Sequence, residues 1–137
     1  MNKTAKIVIV LILALAVAAA IALKQKPGSH PAVVIKSNGL PTLIDLGSAI
    51  CIPCKTMAPI LERLKKEYAG IFNVEFIDVR ENPDAWEKYG IRAIPTQIFF
   101  DADGKERFRH EGFFSGEDIL STWKKLDIDV TKKQEQE

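Results

Sequence analysis

The chain has 137 residues, of which 47% are hydrophobic and 27% are charged, a composition typical of one ordinary globular domain. Lysine and arginine number 19 and aspartate and glutamate 18, which gives a formal net charge of +1 at pH 7. Such a near-neutral chain lacks the basic surface that nucleic-acid binding requires, so nucleic acid is excluded as a partner.

Residues 7–23 form an uncharged apolar run that follows Lys3 and Lys6. A helix of this length spans about 25 Å, slightly less than the hydrocarbon core of a bilayer. A run of this kind after lysines indicates either a secretory signal peptide or a membrane anchor. The small residues of Ala20-Ile21-Ala22 favour cleavage, whereas the lack of a polar segment before the cleavage point favours an anchor. We therefore expect residues 1–23 to be a signal-anchor or transmembrane segment, with a signal peptide as the alternative.

Both alternatives export the rest of the chain. The expected location is the bacterial inner membrane, with the domain facing the periplasm or the cell exterior; after cleavage the protein would instead be soluble and exported. Residues 24–31 combine lysine with glycine and proline and predict a short linker. We expect residues 32–130 to form one α/β domain and residues 131–137 to be a disordered tail.

The first half of this domain predicts strands followed by one long helix. Ala32–Ile35 is a possible short strand, and Thr42–Leu46 is an apolar run typical of a buried strand. A helix is expected to begin at or just before Cys51 and to end at Gly70, with Pro59 kinking it. Its apolar face is formed by Met57, Leu61, Leu64 and Tyr68.

The next segments predict a second strand and a short helix. Val74–Val79 alternates sufficiently for a strand. Asn82 is the expected N-cap of a short helix that runs to Tyr89-Gly90, because a proline follows it at the first helical position.

The last segments predict a hairpin and a final helix. Gln97–Phe100 and Lys105–His110 are strands joined by the turn Asp101–Gly104. Ser115 is the expected N-cap of a helix that ends near Leu126. Strands joined by a helix should be parallel and strands joined by a tight turn antiparallel. The sequence thus predicts an α/β fold, a mixed central sheet flanked by helices on both faces.

Cys51 and Cys54 are the only cysteines, and they lie at the start of the long helix. A helix N-terminus stabilises a thiolate, so Cys51 is the expected nucleophile, and Cys54, about one turn deeper, is the expected resolving cysteine. A helix terminus contributes only roughly 0.3–2 kcal/mol, and no histidine lies between the two cysteines. We therefore expect a modestly lowered pKa for Cys51 and a reducing rather than a strongly oxidising pair.

A pair of cysteines at this spacing has three other possible uses. A structural disulfide with two intervening residues would constrain the unfolded chain little. A zinc site normally needs four ligands, and only His30 and His110 are available as histidines. A lone pair of this spacing also occurs in copper handling. We favour a reactive dithiol, with neither a metal nor an organic cofactor.

Placed in order, these residues resemble the thioredoxin family from about Leu40 to Leu126. The resemblance rests on Asp45 six positions before Cys51, on the Cys-x-Pro-Cys-Lys motif with Met57–Leu61 after it, on Asn82-Pro83, on Lys88–Thr96 and on Gly112. It implies a thioredoxin-like fold and a redox-active Cys51–Cys54 disulfide.

The same resemblance implies roles for individual residues. Asp45 would be a buried carboxyl with a raised pKa that acts as acid and base for Cys54. Pro95 would be a cis-proline that faces the active site, and Ile94 and Gly112 would offer backbone groups to an extended substrate. The expected substrate-binding residues are Ile50, Ile52, Pro53, Ile94, Pro95 and Gly112.

The chain also departs from the family pattern. Ile50 stands where thioredoxins carry tryptophan, Ile52 replaces the usual glycine, and Phe76 aligns with a lysine that partners the buried aspartate. Most of the N-terminal βα unit is missing as well. These departures indicate an exported relative with its own partners, and Ile50 and Ile52 are where we expect its specificity to lie.

The expected function is the reduction of protein disulfides, with the cysteines of apocytochrome c among the candidate substrates. A transmembrane thiol carrier would donate the electrons, and the protein would be a monomer held at the membrane by residues 7–23. Two alternatives remain open: a thiol oxidase or isomerase, and a non-catalytic module that binds partners in the thioredoxin groove.

Overall fold

The computed structural model describes residues 8–9, 11–16 and 33–131. The chain divides into two units, Met1–His30 and Pro31–Glu137. In the first unit residues 8–9 and 11–16 are helical. No helix within the described ranges is both long and apolar enough to cross a membrane. The rest of the predicted anchor, the whole predicted linker and all but the first residue of the predicted tail lie outside the described residues.

Four strands form one mixed sheet in the second unit. They are β1 (Thr42–Gly47), β2 (Asn73–Asp78), β3 (Thr96–Phe100) and β4 (Glu106–Glu111), in the spatial order β2-β1-β3-β4. β1 pairs with β2 in parallel, whereas β1 with β3 and β3 with β4 are antiparallel. Every residue of the central strand β1 is buried, as its apolar sequence predicts.

Three helices cover the sheet: α1 (Ile52–Glu67), α2 (Ala85–Lys88) and α3 (Gly116–Lys125). Met57 and Leu61 of α1 share one core cluster with Ile119 and Trp123 of α3, so these helices lie on the same face. Ala85 of α2 belongs to a second cluster, which contains the opposite face of β1 and β3. The predicted α/β class, with a mixed sheet and helices on both faces, is confirmed.

The predicted strand Ala32–Ile35 is wrong for residues 33–35, the part of it that the structure describes. Val34 makes one isolated antiparallel bridge, to Lys105, and the flanking hydrogen bonds are Ile35 N–H to Gly104 O (3.0 Å) and Glu106 N–H to Val33 O (3.3 Å). Gly104 has φ +80°, and the Ile35 carbonyl occupies the space that a Cβ would need there. The segment is therefore held against the β3–β4 turn and adds no strand to the sheet.

The predicted N-cap at Asn82 is also wrong. The N-cap position of α2 is Asp84, and no side chain caps this helix. The Asn82 amide instead donates to the Asp78 carbonyl (3.0 Å), which holds the turn after β2. The end of α1 likewise differs, because the helix stops at Glu67 and Gly70 lies in the turn that follows, with φ +78°.

Ser115 caps α3, as the sequence predicts. Its hydroxyl accepts from the Asp118 N–H (3.1 Å) and donates to the Asp118 carboxylate (2.6 Å). Ser115→Ala should lower the free energy of unfolding by about 1 kcal/mol, because one helix N–H loses its partner. Urea denaturation measures the change. Ser121→Ala, at an exposed position in the same helix, is the matched control and should not destabilise; equal effects of the two variants would contradict the capping role.

Candidate active site

The two cysteines lie where β1 leads into α1, and they form a disulfide with a Cα–Cα distance of 5.2 Å. Cys51 is the N-cap of α1, and its sulfur accepts from the Cys54 N–H at 3.4 Å. Cys54 is only 3% exposed, whereas Cys51 is partly exposed. Pro53 fits this first turn because it has no N–H to leave unpaired. The geometry makes Cys51 the accessible sulfur and Cys54 the shielded one.

An aspartate that the sequence alone does not identify as a site residue holds the loop before Cys51. Asp78, at the end of β2, accepts from the Ala49 N–H (2.9 Å) and the Arg80 N–H (2.8 Å). These hydrogen bonds, first of all that from Ala49, lower the pKa of Asp78. The end of a strand parallel to β1 is where such a contact can form, but nothing in the local sequence distinguishes Asp78 from a surface aspartate.

Gly47, the last residue of β1, lies directly against the resolving cysteine. A Cβ at this position would be 2.9 Å from the Phe76 ring, 3.1 Å from the Cys54 sulfur and 3.3 Å from the Cys54 Cβ. The same Phe76 side chain lines a cavity of about 340 Å³ together with Cys54, Ala58 and Leu61. On the β2 side of Cys54, Gly47 is thus closely packed, and beside it lies a cavity whose lining also includes Ser48, Lys55 and Glu62.

Asp45 is fully buried two residues before Gly47. Its Oδ1 accepts from Gln97 Nε2 at 2.7 Å, and Gln97 also contacts the Met57 sulfur at 3.2 Å. Burial raises the pKa of Asp45 to about 6, and the hydrogen bond from Gln97 opposes part of that rise. The raised pKa agrees with the prediction, whereas Gln97 was not foreseen: its partner lies 52 positions earlier, and in the sequence it is only the start of a strand.

The cis-proline segment lies at the same end of the sheet as the cysteines. The Ile94–Pro95 bond is cis, as predicted, and Thr96 pairs with Leu46 of β1 and with Glu111 of β4. The Gly112 N–H donates to the Pro95 carbonyl at 2.8 Å. That N–H is already used, so a substrate strand would have to bind the carbonyl of Gly112 rather than its N–H.

Several apolar side chains adjoin the disulfide in the sequence or lie at the same end of the sheet. Ile50 is 65% exposed and Ile52 79%, while Pro53 is exposed and Ile94 partly so. Phe113, which follows Gly112 and is 48% exposed, adds an aromatic ring that the sequence reading did not include. Large exposed apolar side chains mark binding surfaces when they cluster. No three histidine, cysteine, aspartate or glutamate side chains of the described residues are grouped as a metal site would require.

The sequence profile of the family described as Thioredoxin matches residues 23–125. The chain belongs to the thioredoxin family. The predicted family is therefore confirmed, and the match covers β1 to α3 together with the segment before them.

Individual thioredoxins match shorter parts of this thioredoxin-family chain. The chloroplastic M-type thioredoxin of Pisum sativum is 45% identical over 60 residues, which cover 44% of this chain and 35% of that protein. The thioredoxin of Pseudomonas aeruginosa is 40% identical over 67 residues, 49% of this chain and 61% of the relative. The thioredoxin of Acidithiobacillus ferridurans is 44% identical over 69 residues, which cover 50% of this chain and 63% of that relative. The chain thus spans between about a third and two thirds of these relatives.

Solved structures agree with the fold. Chloroplastic thioredoxin z, whose structure is described as defining a novel type-specific target recognition, superposes with a TM-score of 0.59 at 27% identity, covering 67% of this chain and 82% of that one. A malarial protein reaches the same TM-score of 0.59 at 20% identity, covering 64% and 97%, and supports the fold alone.

Proposed function

We propose that this chain is an exported thiol–disulfide oxidoreductase that reduces disulfides in other proteins. The observation that carries the proposal is the Cys51–Cys54 disulfide at the start of α1, with one accessible and one buried cysteine. The buried Asp45 lies on the sheet face that α1 covers, linked to Met57 of that helix through Gln97. Membership of the thioredoxin family supports the same chemistry.

The reaction begins with both cysteines reduced. The Cys51 thiolate attacks one sulfur of the substrate disulfide, a mixed disulfide forms, and the other substrate sulfur leaves as a thiolate. Cys54 then gives its proton to the Asp45 carboxylate and attacks the Cys51 sulfur, which releases the second substrate thiolate. Two electrons pass to the substrate, and the chain ends as the Cys51–Cys54 disulfide.

The direction of electron flow follows from what stabilises the Cys51 thiolate. The N-terminus of α1 does so, but the residues between the cysteines, Ile52 and Pro53, carry no charge. A weakly stabilised thiolate favours the oxidised protein and therefore a reductant. The reduction potential of the pair distinguishes this proposal from a thiol oxidase or isomerase, since a value near about −120 mV would identify a strong oxidant.

Export and membrane attachment are proposed from the apolar run at residues 7–23 between flanking lysines. An exported reductase needs electrons from across the membrane, so a transmembrane thiol carrier is the proposed donor and protein disulfides, with apocytochrome c cysteines among them, are the proposed substrates. N-terminal sequencing of the exported protein tests the anchor: loss of residues 1–22 would show a cleaved signal peptide instead.

Trapping tests the catalytic role. Cys54→Ser should accumulate partners joined to Cys51 when it is expressed at native level, because the mixed disulfide can no longer be resolved. Non-reducing electrophoresis followed by mass spectrometry identifies them. Cys51→Ser/Cys54→Ser is the matched control and should trap none.

If Cys54→Ser also traps nothing, the protein is better described as a binding module. The exposed side chains Ile50, Ile52 and Phe113 favour that second candidate, since they would hold a partner without turnover.

A further inference from the structure

Four side chains form a row across the sheet on the face that α1 covers. Phe76 of β2 pairs with Asp45 of β1, Asp45 with Gln97 of β3, and Gln97 with His110 of β4. Residues directly opposite one another on neighbouring strands place their side chains on the same face, with Cβ atoms about 4.5–5.5 Å apart. The two in the middle, Asp45 and Gln97, are both fully buried.

Gln97 carries a polar amide in β3, a buried strand whose next three residues are apolar. Its Nε2 donates to Asp45 Oδ1 (2.7 Å) and contacts Met57 Sδ (3.2 Å). Among the described residues, Gln97 Oε1 and Asp45 Oδ2 are buried atoms that have no hydrogen-bond partner. A buried polar group without its full set of partners destabilises a fold. An amide in this position therefore suggests a use beyond packing.

We propose that Gln97 is the positioning residue of Asp45, and that its amide binds the charged and the uncharged carboxyl in turn. A primary amide carries two N–H donors and one acceptor oxygen. While Asp45 is ionised, Gln97 Nε2 donates to it, as observed. Once Asp45 has taken the proton of Cys54, the Gln97 amide can rotate by about 180° around its Cγ–Cδ bond. Its Oε1 then accepts a hydrogen bond from the carboxyl O–H of Asp45. The unpartnered Oε1 is the acceptor that the acid form requires.

This inference rests on the proposed function, in which Asp45 takes up and returns one proton per turnover. A lysine would stabilise only the carboxylate, and a leucine would stabilise neither form. The hydrogen bond from Gln97 also lowers the pKa of Asp45 against the larger effect of burial. Gln97 thereby keeps both forms of the carboxyl accessible near neutral pH.

Other titratable groups surround this pair and define the controls. Cys51 is the N-cap of α1 and Cys54 lies in its first turn, while Met57 of the same helix contacts Gln97. β3 carries no charged residue. On β2, Glu75 is exposed and Asp78 binds backbone N–H groups. The charged residues of α1 and α3 are exposed.

His110 needs a control of its own because it lies opposite Gln97 on β4. Its Nε2 is 3.2 Å from the Phe113 carbonyl, and its ring stacks on Phe114 with 4.1 Å between centroids. A His110→Asn variant removes the imidazole beside Gln97 and so serves as this control.

The direct test is the titration of Asp45 in reduced full-length protein labelled with ¹³C-aspartate, with Asp45→Asn used to assign the carboxyl resonance. Gln97→Leu should raise the midpoint of Asp45 by about 0.5–1 pH unit, since the hydrogen bond lost from the carboxylate is stronger than the one lost from the acid form. Ile98→Val, a core change on the opposite face of β3, should leave it in place, as should His110→Asn. A midpoint in Gln97→Leu within about 0.3 units of wild type would overturn the proposal.

The kinetic test uses 5,5′-dithiobis(2-nitrobenzoate) as the disulfide. Cys51 displaces the first thionitrobenzoate, and the Cys54 thiolate displaces the second as the Cys51–Cys54 disulfide forms. The pH of half-maximal second release should rise in Gln97→Leu by the same amount, about 0.5–1 unit. In an Asp45→Asn background the same substitution should cause no further shift, and an equal shift there would show that Gln97 acts independently of Asp45.

The two proposals can fail separately. If wild type reduces no protein disulfide but Gln97→Leu moves the Asp45 midpoint, the proposed function fails and the positioning role stands. If wild type is an active reductase and the midpoint does not move, only the positioning role fails.

Discussion

Replacing Asp45 by asparagine is expected to stabilise the protein by about 3 kcal/mol at pH 7 and above. Burial raises the pKa of this carboxyl from 3.8 to about 6, so the folded state binds its proton more tightly than the unfolded state. The folded protein consequently loses stability as the pH rises from about 4 to about 6, and the loss then stays constant. Asparagine cannot ionise, and its amide can donate to Gln97 Oε1, which is without a partner.

The gain in stability should therefore depend on pH. Urea denaturation at pH 4 should show little difference between Asp45→Asn and wild type, with the full difference present at pH 7. Asp103→Asn, an exposed aspartate in the β3–β4 turn, is the control and should show no such trend. A destabilised Asp45→Asn at pH 7 would contradict the raised pKa.

The same substitution should slow the resolving step. Without a carboxylate to take the Cys54 proton, release of the second thiolate at neutral pH should fall by about 100-fold or more. Stopped-flow measurement of the two release phases separates this step from the attack by Cys51, which should be little changed. Greater stability with slower exchange would identify Asp45 as a residue whose catalytic use outweighs its destabilising effect on the fold.

Gly47→Ala is expected to destabilise the oxidised protein by about 1–3 kcal/mol. The new methyl group would be 3.1 Å from the Cys54 sulfur and 2.9 Å from the Phe76 ring. The ring is half exposed and can move, whereas the sulfur is held by the disulfide and by α1.

The double variant Gly47→Ala/Phe76→Ala tests which neighbour opposes the methyl group. Thermal unfolding should show partial recovery, because removal of the ring relieves one of the two close contacts and leaves the one with sulfur. Full recovery of thermal stability in the double variant would show that Phe76 alone opposes the methyl group. If Gly47→Ala alone loses no stability, β1 can shift away from α1.

Local signals in the sequence predicted the elements but not the contacts between them. The apolar run at Thr42–Leu46, the helical spacing after Cys51 and the capping residue Ser115 each depend on neighbours within a few positions. The structure contains all three predicted elements, with α1 ending at Glu67 instead of Gly70. The prediction that Asn82 caps a helix was wrong because its amide binds the Asp78 carbonyl in the preceding turn. A local capping pattern contains no information on this other partner of the side chain.

The missed site residues share a different cause. Gln97 meets Asp45, Asp78 meets Ala49 and Gly47 meets Phe76 only because β1 pairs with β2 and β3 in one particular register. Each partner lies 29 to 52 positions away in the chain. A single sequence contains no signal for such a register, so the resemblance supplied Asp45 and left its partner Gln97 unnamed.

The segment Val33–Ser37 contacts the β3–β4 turn, and this contact determines the end of the domain at which the preceding part of the chain is attached. Ile35 binds Gly104, and the Ser37 hydroxyl binds the Ala102 carbonyl, at the end of the sheet where β1 begins. The disulfide lies beyond the other end of β1, which six residues of strand place about 20 Å away. The chain before Val33 is thus attached at the end of the domain remote from the sulfurs. The same holds whether that part is a lipid-bound segment, a fused protein or a linker to a solid support. Immobilisation through the N-terminal side should leave the thiol end open to bulky protein substrates.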